Sequence, residues 1–156
     1  MRMSSLSTTR LFAPRHRIRI LVAGALLTWS ATVVVETQES SSRKIWDGVY
    51  QESQATAGKT TYLSSCAACH GENLDGIEPG PALAGPGFLM KWENQTLRDL
   101  RARISTTMPQ DAPGSLTREQ YTSILAYLLQ ANEAPAGTEA LPTDAQALER
   151  IVVRKK

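Results

Sequence analysis

Residues 66–70 read CAACH and place two cysteines and one histidine within five positions of a 156-residue chain. Cys66 and Cys69 are the two cysteines of the sequence, and His70 is one of its two histidines, the other being His16. Thiols and imidazoles are nucleophiles and metal ligands. Any chemistry of that kind must therefore be built on this cluster, in which the two thiols lie about one helical turn apart.

Three ordinary uses of such a cluster fit the sequence less well. A structural disulfide outside the cytoplasm gives no reason for the histidine that follows. A thioredoxin-like redox pair belongs to a βαβ unit, and no alternating strand pattern is visible. A tetrahedral zinc site needs four ligands, whereas the sequence after residue 35 offers three Cys and His side chains.

The pattern C-x-x-C-H is the attachment sequence of a c-type haem. Each thiol adds to one vinyl group of the haem, and the adjacent imidazole turns onto the iron. The sequence therefore predicts one covalent haem c, with Cys66 and Cys69 as thioethers and His70 as the proximal iron ligand.

The first 35 residues have the pattern of an export element. Five arginines and no acidic residue precede the apolar run ILVAGALLTWSATVVV at 20–35, as in a signal peptide. The run reaches about 24 Å, short of a hydrocarbon core of about 30 Å, which favours a cleaved signal. Poor cleavage sites near Ser30 and Thr32 favour an anchor. In both cases we expect the remainder in the periplasm, either soluble or held at the cytoplasmic membrane through residues 20–35.

Charge outside this segment excludes one class of partner. The whole chain has a formal net charge of +2, but residues 36–156 carry 12 basic and 15 acidic side chains. The basicity is thus a targeting feature, and there is no case for nucleic-acid binding.

Composition divides the remainder into three parts. Residues 36–44 are polar and serine-rich and are predicted to form a linker. Residues 45–132 are predicted to be the compact domain, and residues 133–156, which mix Pro, Ala and Gly, a loosely attached C-terminal tail.

Periodicity within 45–132 is helical. A first helix is predicted at 54–66, directly before the motif. Thr96 can cap a second, with Asp99 at its third position, and Thr117 and Gln120 form a capping box for a last helix. Long Gly/Pro loops lie between them. We predict an all-α domain of three to five helices wrapped around the haem, because loops of this length in so small a domain need a cofactor to pack on.

An electron-carrying haem iron takes a sixth ligand, and the exported part of the sequence offers two thioethers. Met90 lies in the apolar segment FLMKW, where a methionine is expected to fill core space. Met108 precedes Pro109, which disfavours helical geometry at the residue before it and so leaves Met108 on a loop. We predict Met108 as the sixth ligand.

Residues 54–132 resemble the class I cytochromes c, in particular the small exported single-haem domains of bacteria. The segments that carry the resemblance are CAACHG at 66–71, GPAL at 80–83, MP at 108–109 and YTSILAYLLQ at 121–130. The upstream stretch 45–58 is similar to the lead-in of bacterial cytochromes associated with periplasmic dehydrogenases.

This resemblance implies further roles. The carbonyl of Pro81 would accept from the outer nitrogen of His70, which orients the ring and makes it a better donor. Trp92 would either reach a haem propionate through its indole N–H or pack at the haem edge. The first and last helices would cross at Gly58 and Tyr62, against Tyr127 or Leu128.

The function expected from these features is single-electron transfer, without catalysis, between redox partner proteins such as a dehydrogenase or a terminal oxidase. Two alternatives remain open. The chain can be the electron-accepting subunit of a membrane or periplasmic dehydrogenase complex of the quinoprotein type. It can also be a haem enzyme or gas sensor with an open iron position.

Overall fold

The computed structural model describes residues 42–156, so the predicted export element at 1–35 lies outside the described residues. This part of the chain contains six helices and two short strands, which confirms the all-α class. None of these helices is long and apolar enough to cross a membrane. Along the chain the elements are β1 (Arg43–Lys44), α1 (Glu52–Ser65), α2 (Ala67–His70), α3 (Pro86–Trp92), α4 (Leu97–Thr107), α5 (Arg118–Ala131), α6 (Ala145–Glu149) and β2 (Ile151–Val152).

Capping boxes start α4 and α5, as the sequence predicts. The Thr96 hydroxyl accepts from the backbone N–H of Asp99 at 3.2 Å, and the Asp99 carboxylate accepts from the Thr96 N–H at 3.0 Å. Thr117 and Gln120 make the same reciprocal pair at 3.1 and 2.8 Å. Each box satisfies two N–H groups that have no partner inside the helix, which fixes where the helix begins.

The capping carboxylate of α4 makes stability depend on pH. Hydrogen bonds from Thr96 lower the pKa of Asp99 below its ordinary value of 3.8. A lowered pKa contributes stability that is fully present above 3.8 and is lost as the pH falls through the folded-state value. Asp99→Ala should therefore lower the free energy of unfolding by about 1 kcal/mol at neutral pH, and by progressively less in acid.

Urea unfolding across this pH range checks the prediction, with Asp111→Ala, a change in an exposed loop, as the control. An Asp99→Ala deficit that stays constant down to the acid limit would contradict it.

Helices α1 and α5 cross in direct backbone contact at Gly58. A Cβ atom at this position would lie 1.8 Å from the carbonyl oxygen of Ser123, so only glycine fits. One turn further along, the rings of Tyr62 and Tyr127 meet with centroids 5.3 Å apart. The predicted crossing of the first and last helices is confirmed.

The segment after residue 132 differs from the loosely attached tail that the sequence predicts. Leu141, Leu148, Ile151 and Val153 are all buried in the hydrophobic core. In β2, this segment pairs with β1 in parallel. The linker predicted to extend through residue 44 accordingly gives way to a strand at Arg43–Lys44.

Polar contacts also fasten this tail. The Gln54 side-chain amide bonds both backbone groups of Leu141, at 2.8 and 3.0 Å, and the Tyr50 hydroxyl donates to the Ala134 carbonyl at 2.7 Å. The physical reason is shared burial: Ile45 and Val49 in the lead-in belong to the same buried hydrophobic cluster as the apolar residues of the tail. Neither segment has an apolar periodicity of its own that predicts this packing.

Candidate cofactor site

The two cysteines lie at the junction of α1 and α2. Cys66 leaves helical geometry, with φ −131° and ψ −33°, and its N–H still donates to Tyr62 O at 2.8 Å. Its own carbonyl starts the next turn by accepting from the N–H groups of Cys69 and His70 at 3.2 and 3.0 Å. Both thiols are free, Cys66 half-buried and Cys69 exposed. The motif thus presents two thiols and an imidazole from one short turn of backbone.

Protonation of the inner thiol follows from its burial. Burial, and to a lesser degree the nearby Cys69, raise the pKa of the Cys66 thiol to about 11. The thiol is therefore neutral near pH 7, whereas redox and nucleophilic cysteines lie in environments that lower the pKa. This environment disfavours the thioredoxin-like use of the pair.

The imidazole of His70 is oriented by a hydrogen bond to the backbone of Pro81. Its Nδ1 lies 2.7 Å from the Pro81 carbonyl oxygen, and the residue is 7% exposed. Because a carbonyl oxygen can only accept, Nδ1 carries the proton and Nε2 is the nitrogen left for a metal. The hydrogen bond implied by the family resemblance is thus present, and the role of both residues at a haem stays a prediction.

The loop that delivers Pro81 folds back tightly on the motif. The Gly76 N–H donates to His70 O at 2.9 Å, and the Ile77 N–H donates to Cys69 O at 3.1 Å. Gly80 passes so close that a Cβ there would lie 2.0 Å from Cys69 O. The sequence marks this loop only as Gly- and Pro-rich, and the structure supplies the reason for its glycines.

Met108 is the residue at which α4 ends. Its N–H donates to Ile104 O at 2.8 Å, its backbone is extended at φ −132° and ψ 150°, and its side chain is half-buried. The Tyr121 hydroxyl donates to its carbonyl at 2.8 Å. The loop position predicted from Pro109 is confirmed, and ligation by the thioether stays a prediction.

The interpretation of Met90 as core filler is wrong, because this side chain is 65% exposed. Helix α3 has seven residues and buries Phe88 and Trp92, which lie four positions apart on one face. Met90 falls midway between them and so points to the opposite face.

Trp92 is buried against Phe88, with ring centroids 6.4 Å apart and an angle of 48° between the rings. Both roles at the haem, the contact with a propionate and the packing at its edge, stay predictions.

The donor set fits a covalent haem. Two thiols at the required spacing, one buried imidazole with Nε2 available and one loop thioether match the attachment and ligation that such a group needs. Apolar surface is also at hand: several apolar residues near these loops pack on the core while staying only partly buried. They are Leu83, Ala84, Leu89, Ile104 and Leu116.

Sequence reasoning missed two residues that contact the loops bearing the predicted ligands. In the sequence, Tyr121 stands out only as the first residue of the segment 121–130, and Asn132 only as the last residue of the predicted compact domain. Both carry polar groups that the structure buries and pairs with hydrogen-bond partners. A signal for them exists only in three dimensions, because their partners in these loops lie 13 to 49 positions away along the chain.

Comparison with known proteins gives one family and one structure. Residues 53–128 match the family described as cytochrome C oxidase, cbb3-type, subunit III. The crystal structure of the sulfane dehydrogenase SoxCD from Paracoccus pantotrophus is similar over 69% of this chain, with 21% identity and a TM-score of 0.47. The chain spans 61% of the length of that one. A search of the curated proteins found no match.

Proposed function

We propose that this protein, whose residues 53–128 form a small c-type cytochrome domain, carries single electrons through one haem with His70 and Met108 as axial ligands. Electron transfer by a covalent haem is the activity that comes with the domain. The observation that carries the finer proposal is the 2.7 Å contact between Nδ1 of His70, the residue directly after Cys69, and the Pro81 carbonyl oxygen. It leaves Nε2 for the iron.

The roles of the chain's own residues follow from this arrangement. When bound, the haem supplies an iron that alternates between the ferrous and ferric states. The thioethers of Cys66 and Cys69 keep it attached in both states. The Pro81 carbonyl fixes the His70 ring and strengthens it as a donor. A thioether from Met108 is a soft, neutral ligand that favours the ferrous state and raises the reduction potential.

The periplasm is the proposed location, and the support for it is the arginine-rich segment followed by the apolar run at 20–35. Fractionation with N-terminal sequencing distinguishes a cleaved signal from an anchor. An unprocessed protein in the cytoplasm would contradict both.

A second candidate role is an electron-accepting subunit of a periplasmic or membrane dehydrogenase complex. It is favoured by the stretch 45–58, which is similar to the lead-in of bacterial cytochromes associated with periplasmic dehydrogenases. Copurification with a stoichiometric dehydrogenase supports this role, whereas recovery as a free monomer supports a shuttle between partners.

Met108→Ala is expected to open the iron, lower the reduction potential and let carbon monoxide bind the ferrous protein readily. Met90→Ala is the matched control, because this side chain is 65% exposed and should leave the spectrum, the potential and the stability nearly unchanged. Absorption spectra, redox titration and carbon monoxide binding of both variants make the comparison.

A low-spin spectrum and an unchanged potential in Met108→Ala would overturn the proposed ligation. Free binding of carbon monoxide by the wild-type protein would favour an enzyme or gas sensor with an open iron position.

A further inference from the structure

Two buried polar side chains near the ends of α5 reach out of the helix to the loops that bear the proposed ligands. Tyr121 lies in the first turn and Asn132 is the residue at which the helix ends, and each is 4% exposed. Over the eleven steps from Tyr121 to Asn132 a helix rises about 16 Å. Neither side chain takes part in the attachment or ligation described above.

Tyr121 acts on the loop of Met108. Its hydroxyl donates to the Met108 carbonyl at 2.8 Å. At this position α4 has just ended and the backbone is extended, so the carbonyl has no helical partner. The hydroxyl therefore ties the end of α4 to the start of α5 at the residue whose thioether is the proposed ligand.

Asn132 acts on the loop of Pro81. Its Oδ1 accepts from the Gly85 N–H at 2.9 Å, and its Nδ2 donates to the carbonyls of Leu83 and Leu128 at 3.0 and 2.8 Å. The amide thus joins the end of α5 to a segment that begins two residues after Pro81. Pro81 in turn holds His70.

Helix α5 is a rigid support for both contacts. Eight of its fourteen residues are buried, and at its middle the backbone of Ser123 lies directly against Gly58 of α1. A helix clamped in this way cannot shift at one end without disturbing its packing.

We propose that α5 sets the positions of the two axial ligands, with Tyr121 as the positioning residue for Met108 and Asn132 as the positioning residue for His70. This inference rests on the proposed His/Met ligation. It assigns to one helix a separate contact with the loop of each proposed ligand, so that loss of either hydrogen-bonded contact would loosen one ligand and leave the other in place.

Tyr121→Phe, studied in the haem-loaded full chain, tests the first half. Loss of one neutral hydrogen bond, worth about 1 kcal/mol, should raise the population with Met108 detached about fivefold. Carbon monoxide binds the ferrous iron only in that population, so its association rate should rise by about the same factor. Tyr50→Phe removes another buried hydroxyl, the one that donates to the Ala134 carbonyl, and should leave the rate unchanged.

Asn132→Ala tests the second half through the His70 Nδ1 proton, observed by NMR. With the segment 83–85 released, the rate at which this proton exchanges with solvent should rise tenfold or more, because one or two hydrogen bonds no longer oppose local opening. The carbon monoxide rate should not change. Gln54→Ala is the control. Its amide accepts from the N–H of Leu141 and donates to the Leu141 carbonyl, just as the Asn132 amide both accepts from and donates to the segment 83–85. Should Asn132→Ala fail to fold, Asn132→Asp, which keeps the acceptor for Gly85, takes its place.

Each outcome decides the matter. The proposal requires both responses, each at its own ligand; a response at one end alone, or equal changes in both readouts, would overturn it. Responses no larger than those of the Tyr50→Phe and Gln54→Ala controls would reduce both residues to structural roles. Failure of the His/Met ligation itself appears separately, as an unchanged spectrum in Met108→Ala.

Discussion

Replacement of Cys66 and Cys69 together by alanine is expected to abolish covalent haem and to leave a chain without a cooperative fold. The loops at 71–85 and 108–117 have almost no regular structure, and several apolar residues beside them, such as Leu83 and Ile104, are only partly buried. In a domain of this size, that missing burial is a large part of the net stability. Haem detected on denaturing gels and thermal unfolding followed by circular dichroism measure the two effects.

The single variants Cys66→Ala and Cys69→Ala serve as the matched controls. Each keeps one thioether and should retain haem and a cooperative transition at a lower temperature. If the double variant unfolded as a normal helical domain, the claim that the haem completes the core would fail.

Gly58→Ala is expected to cost at least about 3 kcal/mol, because a methyl group at this position meets backbone and not a movable side chain. The new Cβ would lie 1.8 Å from the Ser123 carbonyl oxygen and 2.4 Å from its carbon. Helices α1 and α5 would have to separate, which disturbs the tilted contact of Tyr62 with Tyr127. The midpoint of urea unfolding measures the loss.

Gly87→Ala in α3 provides the control. A Cβ at Gly87 meets nothing within 4 Å, and alanine is the better helix former by about 1 kcal/mol. We therefore expect this change to be neutral or stabilising. Equal stability losses in Gly58→Ala and Gly87→Ala would show that helix propensity, and not the helix crossing, decides both.

Local chemistry explains what could be predicted from the sequence. The attachment motif spans five residues, and the capping boxes of Thr96 and Thr117 each span four. The interacting residues are therefore close along the chain and can be identified from their spacing. The last helix was predictable because its apolar residues follow the helical period over three turns. The proline after Met108 identified the end of α4 for the same reason, since its effect falls on the adjacent residue.

Contacts between distant residues explain the rest. The burial of Leu141 and Leu148 depends on the lead-in and α4, and nothing in the composition of the tail distinguishes it from a flexible end. Met90 was misjudged because an apolar segment does not reveal which of its faces is covered. Tyr121 and Asn132 acquire their roles only from loops that approach α5 in the folded chain.

The parallel pairing of β1 with β2 has a consequence for the order of folding. It joins Arg43 to Ile151, which are more than a hundred residues apart along the chain. The entropy cost of closing so long a loop is met only after the intervening chain has become compact, so such contacts form late. The turn that carries the cysteines is, in contrast, made of contacts within a few residues. We therefore expect the haem motif to take shape while the two ends of the domain are still apart, and the strand pair to form late.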